Sequence, residues 1–415
     1  MTTSHPAPSL RAVPKSAIKV LLLENLHQSA RELLLGESFS VETLPAALSE
    51  QALKDKLQGV HVLGIRSKTQ ITPAVLAAAG DLLTIGCFCI GTNQVDLDAA
   101  RARGVAVFNA PFSNTRSVAE LMIAEIILLA RQLGDRSRDL HDGKWRKSAE
   151  QSYEVRGKTL GIIGYGHIGS QVGVLAESFG MRVIFYDVIS KLPMGNNHAC
   201  AAMAEVLAQA DFVCLHVPET VQTRHLVGAE ALAQMKPGSY LLNASRGSVV
   251  DIEALAGALR SHHLSGAAVD VYPEEPEGHS DTFTTELQGL ANVILTPHIG
   301  GSTLEAQAAI GREVGSALTN FVNRGTTMGA VNFPQVELPP SRATHRILNV
   351  HQNVPGVLRD INKIVSDCNA NIHSQVLATD PSVGYLVMDL DHDVSTDVCD
   401  AMARLATNIR TRILY

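Results

Sequence analysis

The sequence predicts an α/β protein in three parts: a doubly wound parallel sheet, an earlier flavodoxin-like α/β domain, and a small βαββαβ domain at the end. Three observations predict it. Thr159 to Asp187 reads as strand, glycine-rich turn, helix, strand and acid. Strand-length apolar runs alternate with helical periodicities on both sides of that stretch, the rhythm of parallel sheets. After a proline-rich segment, Phe333 to Arg342, the order becomes strand, helix, strand, strand, helix, strand.

Taken in order, Lys19 to Glu24 is expected to be a strand and Leu26 to Leu35 a helix. A strand from Val60 to Arg66 runs into a polar corner, Arg66-Ser67-Lys68-Thr69. Pro73 to Ala79 reads as a helix, Leu82 to Cys89 and Val105 to Phe108 as strands. This αβ repeat precedes the glycine turn, so it is a domain separate from the nucleotide-binding part. Ser113 to Arg131 starts a long helix with Ser113 or Asn114 as its N-cap.

Leu160 to Ile163 is an apolar run that reads as a strand buried on both faces. Gly164, Gly166 and Gly169 follow with G-x-G-x-x-G spacing. Gly164 permits the tight turn, Gly166 leaves room for a pyrophosphate, and Gly169 lets the helix lie close to the sheet. Ile168, Val172, Leu175 and Phe179 form one helical face, and Gly180 ends it. The helix N-terminus offers unpaired N–H groups to the phosphates. Asp187 closes the next strand, where a carboxylate accepts the adenosine ribose hydroxyls and repels a 2′-phosphate. NAD is therefore favoured over NADP. Beyond it, strands are expected at Asp211 to Val217, Ser239 to Asn243, Gly266 to Val271 and Asn292 to Thr296, with helices between them. Six parallel strands make a Rossmann sheet, whose ligand crevice lies at the carboxyl ends of its strands. Ser302 to Arg324 is one long helix. In the final part, Pro355 to Cys368 and Val398 to Ala406 are the expected helices.

Composition bounds the partners. The chain has 415 residues, 46% apolar and 18% charged, with net charge −7. A mildly acidic balance argues against nucleic-acid and anionic-membrane partners. The most apolar helical run, Val118 to Ala130, carries Glu120 and Glu125 and is too short to span a bilayer. The segment up to Ser16 lacks an apolar core and reads as a disordered extension, not a secretory signal. Six scattered cysteines form no C-x-x-C pair, so reduced thiols, no metal site and a cytoplasmic location are expected.

Three polar clusters end strands of the Rossmann sheet: Asn243-Ala244-Ser245-Arg246-Gly247, Asp270-Val271-Tyr272-Pro273-Glu274-Glu275-Pro276, and Thr296-Pro297-His298-Ile299-Gly300-Gly301. Hydride transfer from a 2-hydroxy acid needs a cation for the carboxylate, a base for the hydroxyl proton, and a carboxylate to orient that base. Arg246, His298 and Glu275 fill those roles, with Glu274 an equal competitor on composition alone. Taken singly, each has an unremarkable reading as a cap, a turn residue or a solvated acid. Together, at strand ends of one sheet, they point to chemistry.

These motifs, GYGHIG with Asp187, NASRG, DVYPEEP and TPHIGGST, resemble the D-isomer-specific 2-hydroxyacid dehydrogenases. The ending, HQNVPGVL…NANIHSQ…GYLVMDLD, resembles an ACT domain. The resemblance covers about Lys19 to Tyr415. It implies that His298 is the base, Glu275 its partner and Arg246 the carboxylate-binding group; the spacing of the second motif selects Glu275. Beside the three glycines it implies cofactor contacts at His167, Ile168, Asp187, Ala244, Ser245, Arg246, Asp270, His298, Ile299, Gly300 and Gly301. It also implies a split substrate domain, 17–112 with 302–333, around a nucleotide domain over 113–301. A linker over 334–342 and an ACT regulatory domain over 343–415 complete the expected order.

The activity implied is NAD-dependent oxidation of 3-phospho-D-glycerate to 3-phosphohydroxypyruvate, the first committed step of serine synthesis. Some relatives also reduce 2-oxoglutarate. The basic corner of Arg66 and Lys68 suits a phosphate, with Asn93 and Lys147 as further substrate candidates. A homotetramer is implied, with L-serine as effector at the ACT domain. His351, Asn353 and Asn371 are the candidate serine residues, with Pro355 expected in the first helical turn. Gln352 and Val354 replace residues often seen as Glu and Arg in that loop. Two other readings compete: a non-catalytic NAD-responsive regulator of the same fold, and an enzyme for glycerate, formate or lactate.

Overall fold

The computed structural model describes residues 13–276, 282–338, 345–390 and 395–414. The extension up to residue 12 and the end of the expected linker, with Pro339 and Pro340, lie outside the described residues. The last part of the extension is ordered: Lys15–Ala17 forms a 3₁₀ turn and Lys15 pairs with Glu37 at 2.9 Å. Residue contacts group the chain into two compact units, Met1–Ser113 with Gln307–Tyr415, and Asn114–Ala306.

The first unit opens with β1 (Lys19–Leu22), α1 (Gln28–Gly36), β2 (Ser40–Thr43), α2 (Glu50–Lys56), β3 (Val62–Ile65), α3 (Pro73–Ala78), β4 (Thr84–Cys87), α4 (Leu97–Ala102) and β5 (Ala106–Phe108). The strands form a parallel sheet in the order β2-β1-β3-β4-β5, the flavodoxin order. Strand side chains alternate between two cores: Val20 and Leu22 lie in one, Leu21 in the other.

The second unit holds α5 (Thr115–Ala130), α6 (Leu133–His141), β6 (Thr159–Ile163), α7 (His167–Ser178), β7 (Arg182–Tyr186), β8 (His198–Ala199), α8 (Met203–Gln209), β9 (Phe212–Leu215), α9 (Ala229–Gln234), β10 (Ser239–Asn243), α10 (Ile252–Arg260), β11 (Leu264–Val269) and β12 (Val293–Leu295). Its parallel sheet runs β12-β11-β10-β9-β6-β7-β8. The six expected strands are present, and the two-residue β8 adds an edge. The order reverses between β6 and β9, which places the glycine turn at the switch point where such sheets open a crevice.

Helix α11 (Leu304–Arg324) returns the chain to the first unit, where Ile310, Val314, Leu318 and Phe321 join the core with Val20 and Leu22. Then come β13 (His345–Gln352), α12 (Val357–Asp367), β14 (Ile372–Thr379), β15 (Val383–Leu390), α13 (Ser395–Ala403) and β16 (Asn408–Leu414). The antiparallel sheet, ordered β14-β15-β13-β16, is ferredoxin-like. One face carries Ile347, Leu386 and Met388 under the two helices. The other carries Leu348, Val350, Tyr385 and Val387, which belong to the core around α11. Buried arginines fasten this face to backbone carbonyls: Arg410 to Gly80 (2.7 Å) and Leu82, Arg412 to Phe321 (2.6 Å).

Sequence reasoning overlooked β2, α2, α4, α6 and β8. Their local signal is weak: α2 buries only Leu53, α6 buries no residue, and β2 has no buried position. One cap is as expected and one is not. Asn114 is the N-cap of α5 but its side chain makes no capping bond. Helix α12 starts at Val357 with Gly356 as N-cap at φ +94°, so Pro355 lies before the helix, not in its first turn.

Candidate active site

The carboxyl ends of β6, β10, β11 and β12 carry the polar clusters. After β6, Gly164 turns with φ +93°, a conformation that a Cβ disfavours. Gly169 lies against the turn; an added Cβ would sit 2.3 Å from Gly164 O. Gly166, the N-cap of α7, faces open space, and His167 and Ile168 form the first turn. Asp187 Oδ2 accepts from Tyr165 N at 2.8 Å and Oδ1 from Ile189 N at 2.9 Å. Those bonds lock the carboxylate beside the turn and leave lone pairs on both oxygens. The open space at Gly166, the helix N-terminus and the anchored acid fit a dinucleotide without a 2′-phosphate.

After β10, Asn243 locks its loop. Its Oδ1 accepts from Ser245 N (3.0 Å) and Ser245 Oγ (2.7 Å), and its Nδ2 donates to Arg246 O (3.0 Å). Ala244 and Arg246 are half-buried and Ser245 is buried. Arg246 Nη1 donates to Ser245 O at 2.7 Å. The loop presses on the one after β11: a Cβ on Gly247 would lie 1.9 Å from Tyr272 C.

Asp270 organises the third loop. It is 1% exposed, and its carboxylate accepts from Thr296 Oγ1 (2.6 Å), Ile299 N (2.8 Å) and Gly300 N (2.8 Å). Its carbonyl accepts from His298 N at 2.8 Å. These bonds hold His298 in the left-handed region, φ +53°, unusual for a residue with a Cβ. The carboxylate of Asp270, a candidate cofactor contact, anchors residues 296–300. Gly301 packs against Asn114.

His298 Nδ1 donates to Glu275 Oε2 at 2.8 Å. Glu275, not Glu274, makes this pair; both are exposed, and Tyr272 N donates to Glu275 Oε1 at 3.1 Å and folds it back. The Glu275 bond, opposed by burial, raises the His298 pKa. Burial alone would raise Glu275, but the bonds from His298 and Tyr272 N carry it below the usual carboxylate range. The pair can hold a proton on imidazole next to a fixed negative charge, as a base in a 2-hydroxy acid oxidation must.

Beneath this loop, on the buried stripe of α5, lies Glu125 at 1% exposure. Neither carboxyl oxygen has a partner among the described residues. Burial, with the Asp270 charge adding, pushes its pKa up to about 8, so it is a neutral acid at neutral pH. An acid at heptad spacing from Val118 was the sequence signal that could have found it.

The remaining candidates belong elsewhere. Arg66, Lys68 and Asn93 are in the first unit: Arg66 half-buried, Lys68 and Asn93 exposed. Lys147 is exposed in the second unit, two residues from Trp145, which is 82% exposed. Among the serine candidates His351 is buried, with its Nδ1 bonded to Asn349 Oδ1 at 3.2 Å and its ring against Gly384. In this chain it is buried within the small sheet. Asn353 is exposed and donates to Asp380 O at 2.7 Å; Asn371 is exposed just before β14.

Residues 123–300 match the D-isomer specific 2-hydroxyacid dehydrogenase NAD binding domain, and residues 347–410 match the AHAS small subunit-like ACT domain. The chain is 54% identical over 402 residues to a D-3-phosphoglycerate dehydrogenase of Dictyostelium discoideum, covering 97% of this chain and 98% of the relative. It is 50% identical over 407 residues to the Escherichia coli K12 protein of that name, covering 97% and 99%. A solved D-lactate dehydrogenase from Aquifex aeolicus, complexed with NAD and lactic acid, matches with TM-score 0.65 and 27% identity over 76% of this chain and 100% of that one. No helix among the described residues is long and apolar enough to cross a membrane. With the glycine turn, the anchored acid and the His298–Glu275 pair on one sheet, the chain belongs to the D-isomer-specific 2-hydroxyacid dehydrogenases and is an NAD-dependent dehydrogenase.

Proposed function

We propose that the protein oxidises 3-phospho-D-glycerate to 3-phosphohydroxypyruvate in the cytoplasm, as the entry to serine synthesis. The observation that carries this reading is the 2.8 Å His298–Glu275 pair in a chain so similar to relatives of that name. Arg246 pairs bidentately with the substrate carboxylate. With Nδ1 bonded to Glu275, His298 takes the 2-hydroxyl proton at Nε2. Glu275 stabilises the imidazolium so formed. NAD, when bound, accepts the hydride from C2. The Arg66 and Lys68 corner supplies charge for the phosphate, Asn93 adds a neutral amide donor, and Lys147 is a further cation for it. The test is a panel of kcat/KM values with 3-phospho-D-glycerate, D-glycerate and D-lactate forward, and 2-oxoglutarate in reverse. A clear preference for 3-phospho-D-glycerate supports the reading; an equal preference for D-lactate removes it.

Asp187→Ala should raise KM for NAD by roughly tenfold and improve NADP relative to NAD, since it removes both ribose acceptors and the charge that repels phosphate. Steady-state kinetics with both cofactors checks this. An unchanged preference would take Asp187 away from the ribose.

The ACT part suits feedback by L-serine on a homotetramer. Asn353 engages its Nδ2 with Asp380 O, which leaves Oδ1 to accept from an ammonium group. Asn371 is the second contact. Wild-type protein should bind L-serine in calorimetry and be inhibited by it. Asn353→Ala or Asn371→Ala should abolish inhibition while keeping kcat within a few-fold. No heat of binding to the wild type would end this part of the reading.

A further inference from the structure

Glu24 follows β1 with φ +65°, and Asn25 continues at φ +50°. Two successive left-handed residues carrying Cβ atoms are disfavoured and persist only where the surroundings hold them. This turn brings the Glu24 side chain to the end of β3. Its carboxylate accepts three backbone N–H bonds from one corner: Arg66 N at 3.2 Å and Thr69 N at 2.9 Å on Oε1, and Lys68 N at 3.1 Å on Oε2. Glu24 is 8% exposed. From the other side the buried Gln94 donates to Arg66 O at 2.7 Å.

Inward-facing N–H groups on a turn make a ready anion site. Here the anion is the protein's own carboxylate. The donors of Arg66, Lys68 and Thr69 are therefore taken, and a substrate anion must be held at this corner by side chains.

We propose that Glu24 is a positioning residue for substrate selectivity: it shapes the 66–69 corner so that Arg66 and Lys68 act together on the phosphate of a phosphorylated 2-hydroxy acid. The inference rests on the substrate reading above. A carboxylate that served only to stabilise the fold would not alter the choice between phosphorylated and unphosphorylated substrates.

The experiment compares full-length wild type with Glu24→Gln, which keeps the shape but sets an amide against the N–H groups. KM and kcat are measured for 3-phospho-D-glycerate and D-glycerate, with KM for NAD and Tm alongside. The expected result is a KM for 3-phospho-D-glycerate raised roughly tenfold, with kcat, KM for NAD and kcat/KM for D-glycerate within about twofold. In an Arg66→Ala/Lys68→Ala background, Glu24→Gln should add less than about twofold, because its effect passes through those side chains. Should Glu24→Gln fail to fold, Glu24→Asp keeps the charge on a shorter arm and is expected to shift the same KM in the same direction. Equal losses on both substrates, or full additivity with the double variant, overturn the inference. A wild-type preference for 3-phospho-D-glycerate that the Glu24 variants leave intact overturns the inference alone. A wild type without that preference overturns the substrate reading and this inference with it.

Discussion

Replacing His298 with alanine is expected to lower kcat by roughly 10²–10⁴-fold, the usual worth of a positioned proton acceptor. Near-normal turnover in a purified, folded variant would remove His298 from the mechanism. Its partner allows a finer test. Glu275 raises the His298 pKa, and the base must be neutral to take the hydroxyl proton. The acidic limb of kcat/KM therefore follows His298. Glu275→Gln should lower the plateau less than His298→Ala does, and move that limb to lower pH, because the imidazolium loses its counter-charge. A pH profile of kcat/KM decides: a limb that stays in place would mean another group sets it.

Changing Arg246 to lysine should reduce kcat/KM for the 2-hydroxy acid on the order of 10–10²-fold, chiefly through KM, since a point charge cannot reproduce a bidentate fork. Arg246 also lowers the His298 pKa through its positive charge. Removing that charge with Arg246→Gln should move the acidic limb to higher pH, opposite to Glu275→Gln. Lysine keeps the charge and should leave the limb near its wild-type place. If Arg246→Lys changes neither KM nor kcat, the carboxylate is held elsewhere.

The small C-terminal sheet is best tested by point substitution. Its Leu348, Val350 and Tyr385 belong to the core around α11, and Arg410 and Arg412 bond to carbonyls of the first unit. Deleting everything after Pro340 would strip cover from Phe321 and Val322, so a loss of serine response in a truncated protein would mix regulation with stability. Asn353 and Asn371 lie at the surface and avoid that ambiguity.

The chain order alone determined the glycine turn, the acid after β7 and the polar clusters at strand ends, because each is written in periods of two and 3.6 and in residues a few positions apart. The alternation of strands and helices likewise settled the parallel sheets and the βαββαβ ending. Elements with little buried surface escaped notice: α6 and β2 have no local pattern of apolar residues to announce them.

Only the tertiary structure decided what meets across long separations. Glu24 reaches a corner more than forty residues away, and Arg410 finds carbonyls 328 and 330 positions off. His351 and Asn353 are two residues apart in sequence, and the fold buries the first and leaves the second exposed. Glu274 and Glu275 are alike in composition, and the choice between them at His298 was made by one backbone N–H from Tyr272. Such pairings depend on how separate elements pack and on which donors remain unpaired once they have packed, and local periodicity carries no record of either.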